Sequence, residues 1–289
     1  MKYEAIREYS QEFGIGKMCK ALNLAASAYY QWFRRIKKKE ELNKERQSTI
    51  KKVIEIFEDS HRTYGYRRMW IAVNKKGISL TEYMVRKIMR ENGLYPVNSV
   101  KYKPYRKGRV LGNYFENIVD QKFNPKKLNE IWAGDITYIK TKLGWVYLAV
   151  VIDLYNREII GYSISKSIDT ELVKRAYANA LANTCGGEKG TIFHSDRGTQ
   201  YSSKSFQNML LKHGFVGSMS KPGCPYDNAC VESFFSTAKR ECLYRKEYVT
   251  MEEVKTDLFY YIELFYNRKR MHKTLGYMSP VEYRQTRIA

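Results

Sequence analysis

The sequence predicts an α/β chain: a mixed five-stranded sheet with flanking helices over residues 128–289, preceded by small all-α units. Three features carry the prediction. Residues 1–95 show only helical periodicity. Residues 131–165 hold three strand-like stretches in hairpin order. Beyond 169, helical and short strand patterns alternate, which implies a sheet with helices on its faces.

Residues 1–36 read as short helices. Met18, Cys19, Leu22 and Leu24 supply apolar positions, and a run from Ser27 through Tyr29, Tyr30, Trp32 and Phe33 ends in Arg34-Arg35. A helix-turn-helix and an ordinary helical hairpin with an aromatic core fit this outline equally. Residues 37–58 read as a separate charged helix with an apolar stripe at Val53, Ile54 and Phe57, closing a first region at 1–58.

Residues 59–95 read as a second helix-turn-helix unit. Tyr64-Gly65-Tyr66-Arg67-Arg68-Met69-Trp70 opens one helix, and Ser79-Leu80-Thr81-Glu82 has the spacing of a capping box for the next. That second helix puts Leu80, Met84, Val85 and Ile88 on one side, and Gly93 suits its C-terminal cap. Arg67, Arg68, Arg86 and Lys87 are its candidate DNA contacts. Residues 96–127, with Pro96, Pro104, Pro125 and five basic residues between 101 and 109, read as a basic linker that orders on nucleic acid.

The strands follow. Residues 131–140 alternate, with Ile131, Ala133, Asp135, Thr137 and Ile139 on one face, and 145–152 are almost wholly apolar, as in a strand covered on both faces. A third strand is expected near 158–165, a helix over 169–183 and a strand over 191–194. A helix over about 203–213, a strand over 215–218, a helix bearing Glu232 and a last helix over about 251–267 complete the series.

Composition narrows the partners. Among 289 residues the formal net charge is +21, and roughly 15 of those charges fall within residues 1–130, so a polyanion is the expected partner. The five cysteines, an odd number without a secretory signal, point to reduced thiols in a cytosolic compartment. Cys224, Cys230 and Cys242 lack zinc-site spacing. No apolar run approaches the roughly 18 residues of a membrane span.

Three acids stand in three separated motifs. Asp135 lies in Trp132-Ala133-Gly134-Asp135-Ile136-Thr137-Tyr138, and Asp196 in His194-Ser195-Asp196-Arg197-Gly198-Thr199-Gln200-Tyr201. Glu232 lies in Asp227-Asn228-Ala229-Cys230-Val231-Glu232-Ser233-Phe234-Phe235. A mid-strand acid, a strand-end acid and a helix acid can converge on the end of a sheet. Two divalent ions roughly 4 Å apart, held by carboxylates, suit phosphodiester chemistry. Each acid also has a plainer reading: a buried strand Asp bonded to backbone, a solvated helix Glu. Asp227 and Asn228 could simply cap the Glu232 helix. Lys239, seven residues after Glu232, shares its helix face and could grip a neighbouring phosphate, with Arg240 an equal candidate or Lys239 merely solvated.

Together these motifs closely resemble the DDE transposases of bacterial insertion sequences, the integrase-core products of elements with two overlapping reading frames and relatives of retroviral integrases. The tail Tyr266-Asn267-Arg268-Lys269-Arg270-Met271-His272, followed by Leu275-Gly276-Tyr277 and Ser279-Pro280, resembles that family's C-terminal signature. Tyr64 to Arg68 resembles its upstream helix-turn-helix segment, so the similarity spans nearly the whole chain.

The resemblance implies an RNase H-like core over about 125–285, with Asp135, Asp196 and Glu232 as the metal-binding catalytic trio for Mg²⁺ or Mn²⁺, two per site. It implies water-mediated cleavage at element ends, then direct transesterification by the exposed 3′-OH. The partners are double-stranded DNA, both terminal inverted repeats and target, a second copy of the chain on DNA, and an upstream-frame product of the element. A bacterial cytoplasmic protein associated with the nucleoid, with no membrane partner, is expected. Lys239 matches the family's basic residue on the glutamate helix, whereas Ala238 departs from its larger apolar residue. His194 and Asn228 are candidate supports for the site, and Arg270 and His272 candidate DNA contacts or packing groups. A DNA-binding regulator with a degenerate core, and a nuclease of the same fold that hydrolyses without joining, are the rival readings.

Overall fold

The computed structural model describes residues 2–97, 114–120, 124–221 and 228–288. Asp227, Cys224 and most of the basic linker expected over 96–127 lie outside the described residues. The chain divides into two compact units, 1–94 and 95–289.

The first unit is helical: α1 (Lys2–Glu8), α2 (Ile15–Ala21), α3 (Ala26–Asp59), α4 (Tyr66–Lys75) and α5 (Glu82–Glu91). The expected break near residue 36 is absent. No Gly or Pro occurs between 26 and 59, so nothing stops the helix, and α3 runs for 34 residues. Its two ends hold it. Tyr29 is buried with Ile6 of α1 and Cys19 of α2, while Ile50, Val53, Ile56 and Phe57 are buried at the other end, where α3 packs on α4 and α5. The aromatic run at 29–33 is therefore mainly core, which favours the packed hairpin over a helix-turn-helix there.

The turn between α4 and α5 is pinned by Trp70 Nε1 and Asn74 Nδ2, which both donate to the Leu80 carbonyl, at 2.9 and 3.1 Å. Thr81, not Ser79, caps α5, its hydroxyl accepting from Met84 N at 3.2 Å. The capping-box spacing misplaced the helix start by two residues. The buried face consequently holds Val85, Ile88 and Met89, and Met84 is exposed. Gly93 follows α5 in the left-handed region at φ +63°, as a C-terminal cap requires.

In the second unit a five-stranded mixed sheet has the order β3-β2-β1-β4-β5. The strands are β1 (Ile131–Thr141), β2 (Gly144–Asp153), β3 (Ile159–Ser165), β4 (Ile192–Ser195) and β5 (Val216–Met219). β1 and β3 pair antiparallel with β2, β4 pairs parallel with β1, and β5 parallel with β4. The crossovers are α6 (Thr170–Asn183) and α7 (Lys204–Lys212), capped by Asp169 and Ser203. With Trp132, Tyr177, Phe193, Phe206 and Phe215 they form an aromatic-rich core on one face.

α8 (Ala229–Ala238) packs against β1. It passes without a break into a π-helical turn at Lys239–Leu243. α9 (Met251–Phe259) likewise continues as a π-helical stretch at Tyr260–Tyr266. A further helix, α10 (Pro280–Ile288), forms the helical extension expected at the C-terminal end of the core.

Gly161 allows α6 to lie directly on β3. A Cβ there would run into the Ala176 carbonyl oxygen and stand 2.8 Å from the Ala180 Cβ. Gly161→Ala should cost about 1–3 kcal/mol of unfolding free energy in a denaturant titration.

Asp153 is 1% exposed and accepts from the backbone N–H groups of Asn129 and Tyr155, both at 2.8 Å. Burial outweighs those bonds and pushes its carboxyl up to about 6. Between pH ~4 and ~6 the fold thus keeps a proton that the unfolded chain releases, and stability should fall by about 3 kcal/mol as pH rises across that window. Asp153→Asn should flatten that slope in denaturant titrations at successive pH values.

Candidate active site

Parallel pairing of β1 with β4 sets Gly134 opposite Ser195, so Asp135 and Asp196 each follow one member of that pair. β4 ends there, while β1 continues for six residues beyond Asp135. Asp135 is 8% exposed, and its Oδ1 accepts from the N–H of Ile136 at 2.7 Å. Asp196 is half-buried, and its Oδ1 accepts from Gly198 N at 2.9 Å. Such bonds orient a carboxylate while leaving lone pairs for another ligand.

Tyr201 joins the two. Its burial, then the charges of Asp135 and Asp196, hold the phenol well above its ordinary pKa. It stays protonated within the field of both acids. Gly134 makes room for this: an added Cβ would stand 2.7 Å from the Phe193 ring and 3.3 Å from the Tyr201 hydroxyl. Nothing local in the sequence distinguishes Tyr201; the field of two acids at its hydroxyl exists only in three dimensions.

Glu232 is exposed in the first turn of α8, where the helix dipole favours a carboxylate. Asn228 occupies the N-cap position, but its side chain makes no capping hydrogen bond. Arg157, at φ +62° in the turn after β2, donates to Cys230 Sγ at 2.6 Å and ties the start of α8 to the sheet. Among the described residues no group of three or more His, Cys, Asp or Glu side chains is gathered closely enough to hold a metal ion. The register places Asp135 beside Asp196 at the end of β4, and Glu232 stands on α8, which packs against β1.

Lys239 is 3% exposed, not solvated, and its ammonium lies 4.9 Å from the centre of the Tyr138 ring. Burial lowers its pKa, and Asp135 opposes that. Arg240 turns back on its own helix, donating to the Ser236 carbonyl at 3.1 Å. His194 is wholly buried, its Nδ1 3.0 Å from Ser218 Oγ, a contact within the sheet.

Arg270 does not stand on the surface as a DNA contact. It is 6% exposed and forms a two-pronged ion pair with Glu241 at 2.7 and 2.9 Å, and Tyr261 donates to the same carboxylate at 2.9 Å. A guanidinium committed to a buried carboxylate has no outward donor fork for phosphate. His272 is half-buried with its ring edge-on to Tyr266, 5.0 Å between centroids. In the first unit, Arg67 and Arg86 both lie over the Tyr66 ring, at 5.6 and 5.5 Å, and Arg68 over Tyr64 at 5.8 Å. Lys87 lies 3.8 Å from Glu91 on the exposed side of α5.

The fold and the paired strand acids define an integrase-type catalytic core. Family models agree: residues 125–225 and 232–288 match an integrase core domain, and residues 44–102 an HTH-like domain. The chain is 38% identical over 291 residues to the transposase InsF of insertion sequence IS3A from Escherichia coli K12, covering all of both chains. It is 40% identical over 244 residues to the transposase of insertion sequence element IS904 from Lactococcus lactis, covering 83% of this chain and 94% of that one. The chain therefore belongs to the DDE transposases of bacterial insertion sequences. A chain of a simian T-cell lymphotropic virus intasome overlays with a TM-score of 0.46 at 18% identity, covering 74% of this chain and 70% of that one, too loosely for residue correspondence. Among the described residues, no helix is long and apolar enough to cross a membrane.

Arg270→Ala would strand Glu241 in a nearly closed pocket. It should destabilise the protein by about 3–5 kcal/mol by denaturant unfolding, with a smaller loss when Glu241 is also replaced by Gln.

Proposed function

We propose that this transposase cuts DNA at the ends of its element and joins the resulting 3′-OH to target DNA, with Asp135, Asp196 and Glu232 as its catalytic carboxylates. The observation that carries the reading is the register that sets Asp135 beside Asp196 at the point where β4 stops and β1 runs on. Hard oxygen donors of this kind suit Mg²⁺ or Mn²⁺. A pair of such ions, when bound, activates the attacking oxygen and stabilises the leaving one.

The chain's own groups supply the rest. Asp135 and Asp196 are oriented by local N–H bonds, and Tyr201 keeps its proton within their field. Glu232, in the first turn of α8, would complete the ligand set. Lys239 supplies positive charge beside Asp135, where a phosphate would lie. First cleavage uses water as nucleophile and joining uses the 3′-OH, so no covalent enzyme–DNA bond is needed. Element ends and target are the DNA partners, and a multimer of this chain would hold two ends together. Arg67, Arg68, Arg86 and Lys87 are candidate contacts to the ends, and an upstream-frame product is a candidate partner.

Glu232→Gln should reduce joining of a pre-cut 3′-OH end in Mg²⁺ by roughly 10³-fold while leaving the Kd for end DNA within about twofold. Resolving nicked, hydrolysed and joined strands on a denaturing gel reads the result. Joining at the wild-type rate by that variant would sink the assignment. Hydrolysis without any joining by the wild type would leave a nuclease.

A further inference from the structure

We propose that the outer part of the β1–β2 hairpin is a stacking platform for an unpaired base of the DNA strand delivered to Asp135 and Asp196, a reading that rests on the function proposed above. Trp145, Tyr138 and Tyr244 are 50%, 38% and 52% exposed, although each is large enough to be core, and Leu143 at the hairpin tip is 75% exposed. They form a cluster. Trp145 and Tyr138 meet edge to face with centroids 5.3 Å apart, and Tyr244, just past the π-helical turn, is near enough to Tyr138 for the two phenols to interact.

The platform is braced. Lys142 N donates to the Tyr248 carbonyl at 2.9 Å and Leu143 N to that of Val249 at 3.4 Å, so the hairpin is tied to the segment after α8. It also lies beside the site. Tyr138 is three residues beyond Asp135, roughly 10 Å along the strand and on its other face, reached around the edge of β1 that β4 leaves open beyond Gly134. The Lys239 ammonium lies against the Tyr138 ring and within the field of Asp135. A base one or two nucleotides from the reacting phosphate would reach the rings.

Charge decides the occupant. Lys140 and Lys142 flank the rings from the hairpin, and Arg245 and Lys246 follow Tyr244; all four are exposed. Lys142 pairs with Glu247 at 3.4 Å and Lys246 with Asp257 at 2.8 Å, surface pairs of little net strength that a phosphate can displace. Aromatic faces rimmed by cations are what single-stranded nucleic acid meets in its binding grooves. A second copy of this chain, itself at +21, would bring like charge to the same rim.

The test uses an element-end duplex whose terminal pair is mismatched and carries 2-aminopurine, beside the same duplex fully paired. Trp145→Ala should weaken binding of the mismatched end by roughly tenfold and abolish the stacking-dependent change in 2-aminopurine fluorescence. Binding of the paired duplex and the mass on size exclusion should be unchanged. Trp145→Phe should restore most of the loss, and Tyr244→Ala should repeat it. Equal weakening on both duplexes, no weakening on either, or a reduced mass in solution would overturn the platform while leaving the joining function intact. A wild-type protein that binds and cuts neither duplex would overturn both.

Discussion

The parallel pairing of β1 and β4 is the constraint on which the rest depends. Parallel strands cannot be joined by a tight turn, so α6 must cross over between β3 and β4, and that crossover supplies much of the core. The register of the pair then settles which residues stand side by side at the end of the shorter strand. A slip of one residue in that pairing would take Asp196 away from the face of Asp135. Gly134 belongs to the same constraint, because only a residue without Cβ leaves space for Phe193 and Tyr201 beneath the acids.

Around this pair the site is assembled from elements that are fixed for structural reasons of their own. α8 is tied at its start by Arg157 and at its end by the π-helical turn, where Glu241 receives Arg270 and Tyr261. That buried pair is expensive in desolvation and needs near-complete hydrogen bonding to persist, which its three donors supply. Its consequence reaches the site: the turn it secures begins at Lys239, the cation that lies over Tyr138 beside Asp135. The first unit, by contrast, keeps its arginines on the surface around Tyr66, where cation–π contacts preorganise them without burying them.

Much of the sheet was legible because a period of two and a nearly continuous apolar strand are strong local signals, and β1 and β2 follow them closely. Helix ends were less so. Ser79 and Thr81 both suit an N-cap, and the packing of Val85, Ile88 and Met89 selected Thr81. The stretches 27–35 and 37–58 belong to one helix rather than two, because a change from aromatic to charged composition does not end a helix when no glycine or proline intervenes. Whether Arg270 packs or contacts DNA stays open in the sequence because its acid partner lies 29 residues away, a distance at which no periodicity speaks.

By itself the sequence determined the three acidic motifs, the order of strands and helices that carry them, and the excess of positive charge in the first half. These are properties of neighbouring residues, and neighbouring residues settle them. Only the tertiary structure decided that Tyr201 stands by both strand acids, that Lys239 is buried, and that Arg270 faces inward. It also decided that aromatic rings gather at the hairpin beside Asp135. Each depends on strand register, helix register through a π-helical turn, or a contact between segments far apart in the chain, and such relations exist only once the sheet has closed.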